Sequence, residues 1–129
     1  MVLNGKVFAA RKGPGTSQPL KWEFPGGKVE DNETDEECLA RELDEELRMK
    51  VTILKRLPSF FHLYPEFEIE LVPFLCKPVE TNHQLLEHDR AGWFPPDQLK
   101  SLTWAEADAG LMGYVTVLLD KGESSLLVP

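Results

Sequence analysis

Residues 27–49 of this 129-residue chain read GKVEDNETDEECLARELDEELRM. Within this stretch Glu42, Glu45 and Glu46 are spaced i, i+3 and i+4, so an α-helix would carry them on one face. Like charges at this spacing repel one another and destabilise a helix unless a cation lies over them. Clusters of carboxylate oxygens are typical ligands of a hard divalent ion such as Mg²⁺. The stretch therefore predicts a metal site on a helix, preceded by a glycine-containing loop.

The spacing within this stretch resembles the signature of a known enzyme family. Gly27 is followed after five residues by Glu33, and seven more residues lead to the run Arg41-Glu42-Leu43-Asp44-Glu45-Glu46. This pattern is similar to the Nudix box of nucleoside diphosphate-linked hydrolases, and residues 21–30, KWEFPGGKVE, resemble its MutT-like branch, which includes 8-oxo-dGTP and CTP pyrophosphohydrolases. The resemblance implies an α/β fold of the Nudix type, an α/β/α sandwich with a mixed sheet, in a single domain over residues 1–129.

The same resemblance implies a metal-binding role for the residues of the box. Glu42 and Glu46 would be the principal metal ligands, Glu45 would share or order a metal ion, and the Gly27 carbonyl would supply a further oxygen. The expected ion is Mg²⁺, with Mn²⁺ as an alternative, and Glu45 and Glu46 are expected to contribute to catalysis as well. The alternative interpretation is a solvated acidic helix face with no metal.

A second pair of box residues is implied to support the first. Glu33 and Arg41 would form an ion pair that holds the loop on the helix without direct chemistry. The alternative is two exposed side chains that meet by chance. For the neighbouring Glu30, a metal contact and an exposed loop carboxylate remain open.

Residues outside the box are implied to face the substrate. Glu87 would bind metal or act as the general base, which requires reach to the attacking water. Arg11 and Lys12 end the first long strand, where the family places a basic residue against the substrate phosphates, and Lys28 would contact them as well. Surface cations without a role are the alternative for Lys12 and Lys28. Asp108 would hydrogen-bond the base, or would serve as a carboxylate cap at the start of the last helix.

Two positions depart from the family pattern. Arg48 stands where the family has glycine, just past the helix end, where a positive φ is favoured. Only residues 1–3 precede the predicted Asn4-Gly5 hairpin turn, so the first strand is expected to be truncated. A shortened strand would leave an exposed sheet edge, and on this ground we predict a homodimer or larger oligomer.

The rest of the chain alternates between apolar runs and turn residues. Thr34-Asp35-Glu36-Glu37 is a capping-box pattern that starts a helix with a core stripe of leucines. The predicted strands cover residues 6–11, 22–24, 51–57, 67–76 and 91–94. The predicted helices cover residues 35–47, 96–102 and 105–119, with a peripheral tail over 120–129.

Composition narrows the class of protein. The chain is 42% hydrophobic, which is enough for a core, and its net charge of −8 argues against non-specific binding to nucleic acid or anionic membranes. Cys38 and Cys76 have no metal or redox spacing and are expected to be reduced thiols. Since no membrane-spanning run or secretory signal is visible, the expected location is the cytoplasm.

Together these features predict an enzyme that acts on a small nucleotide. The expected reaction is Mg²⁺-dependent hydrolysis of an oxidised or otherwise non-standard nucleoside triphosphate to the monophosphate and pyrophosphate, with cytidine nucleotides as the next candidate. One alternative is hydrolysis of ADP-ribose or another nucleoside diphosphate derivative. The other is a nucleotide-binding module that has lost turnover.

Overall fold

The computed structural model describes residues 1–118 and has mixed α/β architecture. Its elements follow one another as β1 (Val2–Leu3), β2 (Lys6–Lys12), β3 (Trp22–Glu23), α1 (Asp35–Leu47), β4 (Val51–Arg56), β5 (Phe60–Leu63), β6 (Glu68–Leu71), β7 (Phe74–Pro78), β8 (His88–Phe94), α2 (Pro96–Leu99) and α3 (Glu106–Leu118). The predicted tail over 120–129 lies outside the described residues, as does residue 119 of the predicted last helix.

Strand β2 is the centre of the main sheet. It pairs antiparallel with β8 along residues 7–12, and with β1 and β3 near its two ends. An isolated bridge between Trp22 and Trp104 is parallel, so the pairing around β3 is mixed. Two smaller antiparallel pairs, β4 with β7 and β5 with β6, complete the strands.

The two faces of β2 are buried against different helices, which is why its middle reads as a continuous apolar run. Phe8 and Ala10 pack in one core cluster with Leu43 and Leu47 of α1. The opposite face belongs to a second cluster, which contains Val7, Ala9, Leu99 and Trp104, with Met112 and Val115 of α3 packed against it. The sheet thus lies between helices, in agreement with the predicted α/β/α sandwich.

The start of the chain forms a short strand joined to β2 by a tight turn. Asn4 and Gly5 both have positive φ, at 51° and 76°, as a two-residue hairpin turn requires. Val2 pairs with Val7 and is buried at 5% exposure. The predicted Asn-Gly turn is therefore confirmed, and the two-residue β1 is part of the sheet and the core.

One predicted strand was wrong. Residues 67–76 do not form a single strand but two, β6 and β7, which pair with different partners. Pro73 lies between them, and proline cannot donate to a strand ladder; its carbonyl instead accepts from Leu57 N at 2.9 Å. Strand β5, which residue pattern did not predict, pairs with β6 as a hairpin.

No helix within residues 1–118 combines the length and apolarity that a bilayer crossing demands. Cys38 and Cys76 are both buried and are not joined to each other by a disulfide.

Candidate active site

Helix α1 is built by local sequence signals and sets the position of the box residues. The Thr34 hydroxyl accepts from Glu37 N at 3.0 Å, and the Glu37 carboxylate accepts from Thr34 N at 2.8 Å, which completes the predicted capping box. Leu43 and Leu47 are buried at 1% and 0% exposure against β2. With this apolar stripe anchored, Glu42 and Glu46 lie along its border and reach the glycine turn at Gly26 and Gly27.

A pocket of about 380 Å³ opens between α1, the main sheet and three loops. Its walls carry four carboxylates, one imidazole, one ammonium group and two hydroxyls. The lining residues are Lys12, Thr16, Ser17, Glu23, Gly26, Gly27, Glu42, Glu46, Glu87 and His88. Of the predicted metal ligands, Gly27, Glu42 and Glu46 thus lie together, and the predicted general base Glu87 joins them.

Glu42 and Gly27 are in direct contact across the pocket wall. A Cβ on Gly27 would overlap the Glu42 carboxylate, with Oε2 only 2.6 Å away. The Gly27 carbonyl accepts a weak hydrogen bond from the buried Cys38 Sγ at 3.6 Å. The absence of a side chain at Gly27 therefore lets a carboxylate and the glycine turn approach closely.

Glu46 is the most buried carboxylate of the site, at 3% exposure. Its Oε1 accepts from Gly26 N at 3.4 Å. Burial, together with the nearby negative charge of Glu23, raises the pKa of Glu46 to about 8. A carboxylate held in this way favours a neutralising partner, either a proton or a metal ion.

Glu23, which is half-buried, and the buried His88 form a hydrogen-bonded pair beside Glu46. His88 Nε2 lies 2.7 Å from Glu23 Oε2, and Lys12 Nζ lies 3.7 Å from Glu23 Oε1. Burial acts to lower the pKa of His88, but the hydrogen bond and charge of Glu23 outweigh it and raise that pKa. One ligand atom each from Glu23, Glu46 and His88 lie within 4.8 Å of one another, which is close enough for a metal ion.

Arg41 ties the glycine loop to α1. Its Nε and Nη2 donate to the two carboxylate oxygens of Glu33 at 2.6 and 3.1 Å, and Nη2 also donates to the Lys28 carbonyl at 3.1 Å. The hydrogen bonds from Arg41 lower the pKa of Glu33 to about 2. The predicted Glu33–Arg41 ion pair is present, and Arg41 Nη1 extends it to Glu42 at 3.0 Å.

Glu45 differs from the other two glutamates of the predicted trio. Its side chain is 54% exposed and accepts from Arg41 Nη1 at 3.2 Å, and it does not line the pocket. Glu30 is also exposed, with its carboxylate 3.3 Å from the same Arg41 nitrogen. Both carboxylates therefore lie on the Arg41 side of the helix in this structure, so a metal role for either remains a prediction.

The predicted phosphate-binding cations lie apart from the pocket walls. Arg11 donates two hydrogen bonds, both 2.8 Å, to the carboxylate of Asp89, which raises the pKa of Arg11. Lys28 is an exposed loop residue. Lys12, the residue after Arg11, is the cation that lines the pocket. Phosphate contacts by Arg11 and Lys28 remain predictions.

Asp108 lies in the first turn of α3 and faces β3. Its Oδ1 accepts from Phe24 N at 3.1 Å, and burial raises its pKa to about 6. The helix around it is fixed by Trp104, whose indole N–H donates to the Leu99 carbonyl at 2.7 Å. Asp108 thus holds the backbone one residue beyond Glu23, but it is not among the residues that line the pocket, and its contact with a base remains a prediction.

Neither Glu23 nor His88 was predicted from the sequence to have a role in the site. The available signal was the placement of Glu23 between Trp22 and Phe24, because alternation along a strand turns it away from its aromatic neighbours. No local pattern shows that this face meets Glu46 and His88, which lie 23 and 65 residues further along the chain.

Comparison with known proteins adds a family and several relatives. The family model of the NUDIX domain matches residues 1–113. An 8-oxo-dGTP diphosphatase of Proteus vulgaris is 43% identical over 90 residues, covering 65% of this chain and 73% of the relative. A CTP pyrophosphohydrolase of Escherichia coli strain K12 is 30% identical over 109 residues, covering 84% and 81%. The solution structure of the E. coli ORF135 protein superposes with a TM-score of 0.76 at 27% identity, covering 94% of this chain and 88% of that one.

Proposed function

This chain belongs to the NUDIX domain family as a Nudix hydrolase, and from this premise we propose that it hydrolyses a nucleoside triphosphate to the monophosphate and pyrophosphate in a Mg²⁺-dependent reaction. The observation that carries the proposal is the meeting of Glu42, Glu46, Glu87 and the Gly27 turn in one pocket. Relatives named 8-oxo-dGTP diphosphatase and CTP pyrophosphohydrolase support a triphosphate substrate with a non-standard or cytidine base.

The donor set of the pocket fits a divalent ion. Several carboxylates converge on it, Glu46 is buried, and the bare Gly27 lets the Glu42 carboxylate lie directly against the glycine turn. We propose that Glu42, Glu46 and the Gly27 carbonyl hold Mg²⁺, or Mn²⁺ in its place. When bound, such an ion neutralises phosphate oxygens, holds the phosphate groups in line for attack and activates water.

Residues of the protein itself orient the metal ligands and accept a proton from the attacking water. Arg41 holds Glu42 and the glycine loop in register, since it contacts Glu33, Glu42 and the Lys28 carbonyl at once. Glu87, at the exposed rim of the pocket, accepts the proton of the attacking water as the oxygen bonds to a phosphorus and a phosphoanhydride bond breaks. Glu45 is proposed to contribute to catalysis from the edge of the pocket, once its carboxylate has released Arg41.

Substrate contacts are proposed on either side of this centre. Lys12 lies in the pocket and is suited to the phosphates, with Arg11 and Lys28 as further cations at the edge. Asp108 is proposed to contact the base. The pKa of Asp108 is raised towards neutral pH, so its side chain donates a hydrogen bond to the base when protonated and accepts one when ionised.

A panel of nucleotides with Mg²⁺ tests the proposal. We expect pyrophosphate release from one or more of CTP, dCTP, dGTP and 8-oxo-dGTP, and its loss in Glu46→Gln. Release of sugar phosphate from ADP-ribose, with the triphosphates intact, would instead establish hydrolysis of a nucleoside diphosphate derivative. Equal trace release by both proteins would mean contamination and would favour a binding module without turnover.

Three further expectations stay predictions. We propose that residues 1–129 form one domain, that the protein assembles as a homodimer and that it acts in the cytoplasm. Analytical ultracentrifugation decides the second of these, since a stable monomer at micromolar concentration would contradict it.

A further inference from the structure

Three metal-capable side chains meet on the sheet side of the pocket. Glu23 comes from β3, Glu46 from α1 and His88 from β8, so three separate elements converge. Glu46 and His88 are 3% and 6% exposed, and the ligand atoms of all three residues lie within 4.8 Å of one another. Among the residues that the structure describes, this is the one such group of histidine, cysteine and carboxylate side chains.

The two ring nitrogens of His88 have different surroundings. Nε2 contacts Glu23, but Nδ1 is buried without any hydrogen-bond partner, and it is the one buried side-chain nitrogen or oxygen in this condition within residues 1–118. Buried polar atoms are otherwise nearly always satisfied in native proteins. Nε2 is therefore the ring nitrogen that faces Glu23 and would ligate a metal ion there, while Nδ1 is the buried ring nitrogen without a partner.

The charges around the group also favour a cation. Two buried or half-buried carboxylates, Glu23 and Glu46, lie close together, and the positive groups facing them are His88 and Lys12. Lys12 reaches only Glu23 Oε1, at 3.7 Å. Glu23 Oε2 is shared with the imidazole, so a metal ion is able to take the place of the proton between them.

We propose that Glu23, Glu46 and His88 form a second divalent-metal site, which shares Glu46 with the proposed site at Gly27 and Glu42 and selects Mn²⁺, Co²⁺ or Zn²⁺ over Mg²⁺. The inference rests on the metal-dependent function proposed above. An imidazole ligand suits these ions, whereas Mg²⁺ prefers an all-oxygen set. Two adjacent ions are a known arrangement for in-line displacement at phosphorus.

Metal–nitrogen coupling in the full-length protein tests the site independently of turnover. Pulsed electron paramagnetic resonance of the Mn²⁺-loaded protein is expected to show a coupled ¹⁴N nucleus, which is replaced by ¹⁵N when histidine is labelled. The chain has three histidines, so His62→Gln and His83→Gln are matched controls and should keep the coupling. His88→Gln should lose it and should weaken Mn²⁺ binding at this site by at least about tenfold, the lower end of what loss of a supporting partner costs.

The labelled wild type alone can overturn the inference, even if His88→Gln does not fold. Mn²⁺ that binds without histidine coupling would refute the imidazole site and leave the proposed hydrolysis intact. Coupling that survives in a folded His88→Gln protein would assign it elsewhere and would also refute the site. If no Mn²⁺ binds at all, both this site and the proposed metal dependence are wrong. Zn²⁺ that displaces the coupled Mn²⁺ more readily than Mg²⁺ does would support the stated selectivity.

Discussion

The carboxylate of Glu42 packs so closely against the α-carbon of Gly27 that no side chain fits between them. This contact joins the glycine turn to α1 at the point where the proposed metal ligands meet. Because the two residues are 15 positions apart, the contact depends on the path of the whole intervening loop, which Arg41 holds in place.

Gly27→Ala tests this contact. The added methyl group would displace the Glu42 carboxylate, so we expect Mg²⁺-dependent hydrolysis to fall by about 10- to 100-fold. Gly15→Ala is the matched control, since a Cβ there meets nothing within 4 Å. Steady-state rates over a Mg²⁺ titration measure the effect, and full activity in Gly27→Ala would contradict it.

Glu46→Gln is expected to move stability and activity in opposite directions. Burial raises the pKa of Glu46 from 4.5 to about 8, so the metal-free fold binds a proton that the unfolded chain releases over this range. Stability is therefore lost as pH rises from about 4.5 towards 8. At pH 8 without metal the variant should melt at a higher temperature than wild type, while its hydrolysis is lost. A lower melting temperature of the variant would show that burial of the Glu46 carboxylate does not destabilise the wild-type fold.

Asp108→Asn should stabilise the protein at alkaline pH. Burial raises the pKa of Asp108 from 3.8 to about 6, so the stability of the wild type decreases as pH rises through that interval. Asparagine keeps an acceptor for Phe24 N but removes the charge, and the gain is up to about 3 kcal/mol at pH 8. Urea denaturation at pH 4 and pH 8 measures it, with the exposed Asp97→Asn as control. An equal effect at both pH values would contradict the assignment.

Arg41→Lys should impair the site. A lysine cannot make the paired contact with Glu33 while also reaching Glu42 and the Lys28 carbonyl. We expect metal affinity or turnover to fall about 10- to 100-fold, measured by a Mg²⁺ titration of the rate. Arg48→Lys is the control, because Arg48 belongs to an exposed ion pair with Asp44 whose partners are 55% and 57% exposed.

Arg48→Gly should stabilise the protein without changing its activity. Arg48 has φ 52° and ψ 41°, a left-handed conformation that costs a non-glycine residue about 1 kcal/mol, and it closes α1 through its N–H to the Asp44 carbonyl. Chemical denaturation should show a gain of that size. Arg48→Ala separates the backbone effect from loss of the Asp44 contact, since alanine retains the strain and should show no gain.

Elements made by local signals were predicted well. The bounds of α1, its capping box, its leucine stripe and the left-handed Arg48 follow from residues within one or two turns of each other. The hairpin turn at Asn4 and Gly5 is equally local. By contrast, the division of residues 67–76 into β6 and β7 depends on two different pairing partners, which no short window of residues contains.

By itself the sequence determined the family and the helix that carries the box. It also identified Glu42, Glu46 and the glycine turn at Gly27 as candidate metal ligands. Only the tertiary structure separated Glu45 from its two companions, paired Arg11 with Asp89 and brought Glu23 and His88 to Glu46. The reason is physical: capping and helical periodicity act between residues a few positions apart. The burial and charge of a site depend on which strands lie beside it, and those strands come from distant parts of the chain.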